Sequence, residues 1–246
     1  MLTAVDTPLA SIWFDCDSTL SAIEGVDELL QWAPADLRTD IAALTEQAMN
    51  GALPLAQVYE TRLRLLAPRR EQLAAIGELY VQRLVPDAHA VVQALQWLGK
   101  QVGVLSGGLL APVQRVAAQL GIPLSLVHAV PVQFTADGSY ADFDRRSPLW
   151  RNGGKIDVVS ALPAAHRPLA FVGDGITDAE TQGHVARFVG FGGVVVRPKV
   201  RERADVFVAT KSLAGVLPHV LTAAEQRVLA ADPRFAALLA LHPTGS

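Results

Sequence analysis

The sequence predicts an α/β fold in which a doubly wound, mostly parallel β-sheet carries an inserted helical domain. The first observation is a segment of about seventy residues after the apolar run at 11–14, which has helical character and no convincing strand. The second is an alternation of helices and short apolar strands from Pro86 onward, a pattern typical of a parallel sheet with helices on both faces. These later strands are predicted near residues 102–105, 127–130, 169–172, 188–191 and 206–208.

The same patterns divide the chain into three expected parts. We expect a core domain at residues 1–19 and 87–220, a helical cap domain at residues 20–86, and a C-terminal helical tail of unassigned role at residues 221–246. In the cap, Leu73, Ile76 and Tyr80 share one helix face. Predicted helix starts and breaks in this part coincide with prolines, namely Pro34, Pro54, Pro68 and Pro86.

Two segments after the cap have their own local patterns. Residues 132–142 are expected to form a hairpin, because Asp137-Gly138 is typical of a type I′ turn. The tail shows helical spacing at Leu221, Val228 and Leu229.

The composition favours a compact enzyme over a nucleic-acid or membrane protein. The 246 residues are 50% hydrophobic, which is enough for a large core, and the net charge of −3 without a dense basic run argues against nucleic acid as a partner. No apolar run is long enough to cross a membrane, and no leader segment opens the chain. A single cysteine fits a reducing compartment, so a cytoplasmic location is expected. A monomer and a homodimer are equally compatible with the sequence.

Two carboxylates follow the first predicted strand directly. Asp15 and Asp17 come after the apolar run Ile12-Trp13-Phe14, and alternation along a strand lets both point the same way. Two buried anions repel each other unless a cation or a proton joins them, so the pair indicates a metal ion, an acid/base pair, or both. The alternative is a turn in which both residues only cap the next segment. Cys16, between them, is expected to face away and to be chemically inert.

Three further clusters follow predicted strands or precede a helix. Gly173-Asp174-Gly175-Ile176-Thr177-Asp178 again places carboxylates past the carboxyl end of a strand, where open α/β sheets bind ligands. Ser106-Gly107-Gly108 offers a hydroxyl and backbone N–H groups to an anion. Asn152-Gly153-Gly154-Lys155 supplies a cation at the start of a helix, with a solvated helix-start lysine as the alternative.

The order Asp-x-Asp, Ser, Lys, Gly-Asp-x-x-x-Asp resembles the haloacid dehalogenase superfamily of aspartate-nucleophile phosphatases, which have a Rossmann-like core. A closer resemblance is to the members of that superfamily that hydrolyse O-phospho-L-serine. It extends from residue 11 to about residue 220 and is carried by the stretches 14–20, 24–29, 47–52, 62–63, 106–108, 153–155, 173–178 and 190–193.

The resemblance and the chemistry of the side chains together imply roles for the charged residues. Asp15 is expected to be the nucleophile that forms an aspartyl-phosphate, and Asp17 the general acid and base. Mg²⁺ is the expected cofactor, because it prefers oxygen ligands, here Asp15, Asp174 and the backbone carbonyl of Asp17. Lys155 is expected to screen the nucleophile from the phosphate, and Asp178 to support the metal site.

Substrate-binding roles are implied for a second group of residues. Ser106 and the N–H group of Gly107 are expected to hold phosphate oxygens. The resemblance assigns Glu24 to the substrate ammonium and Arg62 to its carboxylate, with Met49 and Gly51 lining the same pocket.

Two of these assignments have a structural alternative. Ser21-x-x-Glu24 is also a helix capping box, and the resemblance favours the binding role for Glu24. Thr177-x-x-Glu180 is a capping box too, and this reading stands level with a role for Thr177 in phosphate binding.

The expected function is Mg²⁺-dependent hydrolysis of O-phospho-L-serine, the last step of serine biosynthesis, with a small phosphomonoester as the only expected partner. One alternative is the same chemistry on another small phosphomonoester, or phosphoryl transfer to an acceptor such as homoserine. Another is a non-catalytic protein that binds phosphorylated metabolites, which two repelling carboxylates argue against.

Overall fold

The computed structural model describes residues 5–49 and 54–240, with the side chains of residues 45–49 excepted. Its centre is a six-stranded, fully parallel sheet. The sheet strands are β1 (Ser11–Phe14), β2 (Gln101–Leu109), β3 (Val127–Val130), β6 (Leu169–Gly173), β7 (Arg187–Phe191) and β8 (Val206–Val208). Their order across the sheet is β3-β2-β1-β6-β7-β8. The predicted α/β class is therefore confirmed.

The first strand lies in the middle of the sheet and is buried on both faces. All four residues of β1 are buried, which explains why its sequence is a continuous apolar run without alternation. β1 pairs in parallel with β2 on one side and with β6 on the other, with Phe14 opposite Val104 and Val172. The residues that follow β1 and β6 therefore emerge next to each other at the carboxyl edge of the sheet.

Helical structure separates β1 from β2. The helices are α1 (Gly25–Glu28), α2 (Ala35–Met49), α3 (Leu55–Leu66), α4 (Arg70–Gln82) and α5 (Ala88–Trp97), with a 3₁₀ turn at Leu29–Trp32. We refer to α1–α4 as the cap helices. The predicted face of α4 is buried at Leu73, Ile76 and Tyr80.

The remaining helices pack on the sheet or follow its edge. They are α6 (Leu110–Leu120), α7 (Gly154–Ala161), α8 (Ile176–Ala179), α9 (Pro198–Arg203), α10 (Leu217–Val220), α11 (Ala223–Ala231) and α12 (Ala236–Ala240). The cap helix α4 packs against α6, so the helical segment is attached to the core through a helix pair. No helix in the described parts of the chain is both long and apolar enough to cross a membrane.

The second strand is longer than predicted. The strand was predicted near residues 102–105, with Ser106, Gly107 and Gly108 after its end, but β2 continues through these three residues to Leu109. The pairing with β3 shifts in register between Leu105 and Leu109, and the Ser106 hydroxyl accepts the Gly108 N–H group at 2.9 Å. The Gly108 N–H group thus bonds a side chain instead of a carbonyl group of the neighbouring strand, and β2 continues past this shift in register.

The hairpin is confirmed, but its predicted turn type is wrong. Strands β4 (Val132–Phe134) and β5 (Tyr140–Phe143) pair antiparallel, and Gly138 has a φ of +82°. A type I′ turn needs positive φ at both central residues, and Asp137 is not among the residues with positive φ. The carboxylate of Asp137 instead accepts the N–H group of Ser139 at 3.4 Å and its hydroxyl at 2.8 Å, a local bonding pattern that competes with the mirror-image turn.

The C-terminal helices are held to the core by a buried ion pair. Lys100, at the start of β2, forms an ion pair with Glu225 at 2.7 Å and donates to the Leu9 carbonyl at 2.9 Å. Leu229 is buried on α11, whereas Val228 is 49% exposed, so only one of this adjacent pair contributes to the core.

Candidate active site

Three buried carboxylates converge at the carboxyl edge of the sheet. Asp15 follows β1 and Asp174 follows β6, while Asp178 lies on α8 directly after them. Carboxylate oxygens of these three residues lie within 4.8 Å of one another. Oxygen-only clusters of this kind match the ligand preference of hard divalent cations. The donor set therefore fits a metal ion.

The electrostatics of this cluster also favour a cation. Burial, then repulsion by Asp178 and Asp15, raises the pKa of Asp174 to about 8. Burial, then repulsion by Asp15, raises the pKa of Asp178 to about 7, even though Lys155 and the Gly175 N–H group oppose this. The raised pKa values mean that these carboxyl groups bind protons because their negative charges are not otherwise compensated. A divalent cation would supply that compensation and would displace the protons.

Lys155 is the cation that the chain itself supplies. Its Nζ atom is 3.0 Å from Oδ2 of Asp15 and also donates to Oδ1 of Asp178, and its side chain is only 3% exposed. Burial disfavours the charged form, but the carboxylates of Asp15 and Asp178 outweigh it and raise the pKa of Lys155 above its ordinary value. The alternative of a solvated helix-start lysine is therefore wrong.

The loop before Lys155 needs its second glycine. A Cβ atom at Gly154 would lie 1.9 Å from the carbonyl oxygen of Pro148, which no side chain tolerates. Glu180 fixes the same loop from the other side, accepting the Gly153 N–H group at 2.7 Å and the Asn152 side chain at 3.1 Å.

The Glu180 contacts also bear on the capping box that was the alternative role for Thr177. Because the Glu180 carboxylate is used by the glycine loop, the predicted Thr177–Glu180 capping box does not form. The cap of α8 is made by Asp178, whose Oδ2 accepts the Gly175 N–H group at 2.7 Å. Thr177 lies half-buried in the first turn of α8, next to the carboxylate cluster.

Asp15 and Asp17 do not face the same partners. β1 ends at Phe14, and the chain then turns, with the Cys16 carbonyl accepting N–H groups from the residues that follow. Asp15 is held by Lys155 and by the Cys16 N–H group, at 2.6 Å from its Oδ1 atom. Asp17 contacts a different set of groups, and because β1 ends at Phe14 the alternation of a strand does not extend to this pair.

Asp17 is surrounded by hydrogen-bond donors. Its Oδ1 atom accepts the Gly25 N–H group at 2.7 Å and the Tyr80 hydroxyl, while the Ser106 hydroxyl lies 3.2 Å from Oδ2. Burial, then repulsion by Glu24, raises the pKa of this carboxyl to about 7, with the donors on Oδ1 opposing the shift. A carboxyl that titrates near neutrality can both give and take a proton at physiological pH.

Ser106 and its glycines lie beside this carboxyl. Ser106 is fully buried. A Cβ atom at Gly108 would lie 2.6 Å from Oδ2 of Asp17, so glycine is needed for the close approach. Gly107 is half-buried at the same strand end.

Glu24 is connected to the carboxylate cluster by an arginine that the sequence analysis did not identify. Arg197 lies 3.4 Å from Oε1 of Glu24 and donates through Nε to Oδ2 of Asp174 at 3.0 Å. Ser18 donates to Glu24 at 2.7 Å. Arg197 follows β7, another strand whose carboxyl end faces the site, and that position is the signal that was available in the sequence.

The Ser21–Glu24 capping box does not form either. The Ser21 hydroxyl donates to the carbonyl oxygens of Tyr80 at 3.0 Å and Arg83 at 3.3 Å, and the Glu24 carboxylate makes no cap hydrogen bond to α1. Burial raises the pKa of Glu24.

Arg62 and Tyr59 present unsatisfied donors on α3. Arg62 forms an ion pair with Asp27 through one terminal nitrogen, while its buried Nε atom has no hydrogen-bond partner. The hydroxyl oxygen of Tyr59, one helical turn away, is also buried without a partner. Tyr59 was not identified from the sequence. Two buried donors without acceptors indicate a place where an acceptor binds.

The structure does not describe how the last two expected pocket residues, Met49 and Gly51, line the pocket. Gly51 lies outside the described residues. Met49 ends α2, and its side chain is not described.

Cys16 lies in surroundings that disfavour its thiolate form. It is fully buried, and burial, then the negative charges of Asp17 and Asp15, raises the pKa of its thiol well above the ordinary value. A thiol in this environment stays protonated and is a poor nucleophile.

Comparisons with known proteins identify the family of the chain. Residues 12–181 match the model of the haloacid dehalogenase-like hydrolase family. The chain is 35% identical over 200 residues to a phosphoserine phosphatase of Bos taurus, covering 80% of this chain and 88% of that one. The corresponding human phosphoserine phosphatase is 34% identical with the same coverage.

Solved structures share the fold. A phosphoserine phosphohydrolase-like protein from Francisella tularensis superposes with a TM-score of 0.70 at 24% identity, covering 82% of this chain and 96% of that one. By the family model the chain belongs to the haloacid dehalogenase-like hydrolases, and by sequence it belongs, within them, to the phosphoserine phosphatase family.

Proposed function

We propose that this chain is a Mg²⁺-dependent phosphatase that hydrolyses O-phospho-L-serine through an aspartyl-phosphate on Asp15. The carrying observation is that Asp15 pairs with a buried lysine within a cluster of three carboxylates, while a further carboxyl, Asp17, bonds a different set of groups. This arrangement gives one site a nucleophile and a group able to carry a proton.

Asp15 is suited to nucleophilic attack because both of its oxygens are held. The Cys16 N–H group bonds one oxygen and Lys155 the other, so the carboxylate is held in one orientation. An Asp15 oxygen attacks phosphorus while the bond from phosphorus to the serine oxygen breaks. Water then attacks the same phosphorus, which restores the Asp15 carboxylate and releases phosphate.

Asp17 supplies the proton for the first step and removes one in the second. The leaving serine alkoxide takes the proton that the carboxyl holds, and the resulting carboxylate accepts a proton from the attacking water. A pKa of about 7 suits Asp17 both to donate a proton to the leaving group and to accept one from water.

Asp15 and Asp174 would hold the Mg²⁺ ion together with the backbone carbonyl of Asp17, with Asp178 behind them bonded to Lys155. When bound, the ion neutralises the negative charge of the phosphate and fixes its position. Ser106 and the Gly107 N–H group lie at the strand end where phosphate oxygens would bind, and Thr177 flanks the same edge.

The serine moiety would be recognised by two charged groups of opposite sign. Glu24 offers a half-buried carboxylate to the substrate ammonium. The unpartnered Nε atom of Arg62 and the Tyr59 hydroxyl offer donors to the substrate carboxylate. Met49 and Gly51 complete the proposed pocket, and the cap helices at residues 20–86 form its cover over a core of residues 1–19 and 87–220. We place the enzyme in the cytoplasm, for which the single cysteine is the support.

Released phosphate from a matched set of esters with Mg²⁺ tests this proposal. Phosphoethanolamine keeps the ammonium but lacks the carboxylate, and 3-phosphoglycerate keeps the carboxylate but has a hydroxyl in place of the ammonium. We expect phosphoserine to have the highest kcat/KM of the three. A higher value for either analogue would refute the proposed substrate while leaving the chemistry in place.

Asp15→Asn is the control for the chemistry, because an amide keeps the shape of the side chain but is a far poorer nucleophile. We expect no turnover on any ester. Parental rates in a deamidation-free preparation would refute the aspartyl-phosphate. Adding homoserine and analysing the products for O-phosphohomoserine distinguishes hydrolysis from phosphoryl transfer.

A further inference from the structure

Tyr80 is a fully buried side chain of the cap helix α4, and its hydroxyl contacts the core residue Asp17. Its ring lies among the apolar residues of α4, where the sequence pattern predicted only packing. The hydroxyl has no role in that packing. A buried hydroxyl is costly unless it is hydrogen-bonded, and here the bond goes to the proposed acid/base carboxyl.

The two oxygens of Asp17 are in different situations. Oδ1 accepts both the Tyr80 hydroxyl and the Gly25 N–H group, the latter at 2.7 Å. Among the described residues, Oδ2 has one hydrogen-bond partner, the Ser106 hydroxyl at 3.2 Å, at the strand end where the phosphate would bind. A backbone N–H group only donates, so the oxygen that accepts it is poorly placed to carry the proton itself.

Gly25 and Tyr80 fit each other sterically. A Cβ atom at residue 25 would lie 2.0 Å from the Tyr80 hydroxyl oxygen, so glycine leaves the space through which this hydroxyl reaches Asp17. Both donors to Oδ1 therefore come from the cap helices, one from the backbone of α1 and one from a side chain of α4.

We propose that Tyr80 is a positioning residue that, with the Gly25 N–H group, anchors Oδ1 of Asp17 and so presents Oδ2 to the leaving oxygen of the substrate. Without this anchor, the carboxyl can rotate about its terminal torsion, which has a broad energy profile, and spends less time in the productive orientation. The inference rests on the proposed phosphatase function.

Leaving-group dependence separates this role from a general structural role. Expulsion of an alkoxide such as that of serine requires a proton from the general acid, whereas p-nitrophenolate leaves without one. Tyr80→Phe keeps the ring and removes only the hydroxyl. We expect it to lower kcat/KM for phosphoserine about tenfold, mainly in kcat, because part of the general-acid contribution is lost. For p-nitrophenyl phosphate we expect kcat/KM to change by less than about twofold.

Thr39→Val, which removes an exposed hydroxyl of the cap helix α2 that donates to the Ala35 carbonyl at 3.2 Å, is the control and should leave both substrates at parental rates. Equal losses on the two substrates for Tyr80→Phe would overturn the proposal in favour of a structural role, and an unchanged rate on phosphoserine would overturn it outright. Should the parent hydrolyse alkyl phosphates but not phosphoserine, the proposed substrate fails. The alkyl-to-aryl rate ratio of Tyr80→Phe, measured on 3-phosphoglycerate, would then still decide the role of Tyr80.

Discussion

Replacement of Lys155 by methionine removes the cation at the centre of the buried carboxylates while keeping the side-chain length. In the parent, Nζ is 3.0 Å from Oδ2 of Asp15 and also bonds Asp178, and these two side chains are 10% and 0% exposed. Removal of one partner of a buried ion pair leaves uncompensated charge, which costs about 3–5 kcal/mol. At roughly 2–4 °C per kcal/mol for a chain of this size, Tm should fall by about 6–20 °C.

The loss of stability caused by Lys155→Met should grow with pH. Without Lys155, which lowers the pKa of Asp178 in the parent, the folded-state pKa of Asp178 rises further above its unfolded value near 4. The folded variant then binds more protons than the unfolded chain, so its stability falls as pH rises from about 4 through the folded pKa values. The difference in Tm between variant and parent is therefore expected to be smallest at pH 5.5 and largest at pH 8.5.

Thermal unfolding of metal-free parent and variant across this pH range measures the effect without any substrate. Lys211→Met, at an exposed lysine, is the control and should change the free energy of unfolding by less than about 0.5 kcal/mol. A Lys155→Met protein that unfolds within about 2 °C of the parent at every pH would contradict the inferred electrostatics.

Three further predictions concern the metal, the substrate and the backbone. The pKa values of Asp174 and Asp178, about 8 and about 7, lie above their unfolded values, so metal-free protein should lose stability from about pH 4 to pH 8. Saturating Mg²⁺, at about a hundred times its Kd, should add about 2.7 kcal/mol in thermal unfolding, whereas equal curves after chelation would contradict the metal site. Glu24→Gln should lower kcat/KM for phosphoserine roughly ten- to two-hundredfold and spare 3-phosphoglycerate, and equal losses on both esters would exclude ammonium recognition. Gly154→Ala, whose Cβ would lie 1.9 Å from the Pro148 carbonyl, should displace Lys155 and lower both Tm and kcat, while Gly121→Ala, at a glycine with open space but a φ of +73°, should lower Tm alone.

The sheet could be predicted closely because its strands are short apolar runs that end at turn residues. The run at 11–14 matches β1, and that at 169–172 is one residue shorter than β6. The prediction at 106–108 failed because small residues resemble a loop in the sequence, whereas here they continue β2 past an irregularity. Local pattern does not show which partner a backbone group will find.

The site could be predicted only where chemistry leaves a pattern along the chain. Asp15, Asp174 and Lys155 each follow or begin an element at a recognisable spacing. Arg197 has only the weak signal of its position after a predicted strand, and Tyr80 has none, because a lone arginine after a strand and a tyrosine on an apolar helix face are both common. Their contacts arise from tertiary packing, which brings distant residues to the same oxygen atoms.

The Glu24 and Thr177 capping-box alternatives failed for the same physical reason. Both spacings satisfy the local rule, and in both cases a distant group competes for the glutamate: Arg197 for Glu24, and the Gly153 loop for Glu180. A charge-assisted contact in a partly buried site is stronger than a helix cap at its edge.

The central position of β1 has a consequence for how the protein is made. This strand leaves the ribosome before both of its neighbours, which begin only at Gln101 and Leu169. Until β6 has been synthesised, β1 keeps an open edge, and the Asp15 carboxylate lacks Asp174. Pairing across such long stretches of chain is slow, since the loop entropy is lost before the contacts form. The catalytic centre is therefore among the last parts of the molecule to assemble, and a nascent chain that stalls before β6 exposes the edge of its most apolar strand to aggregation.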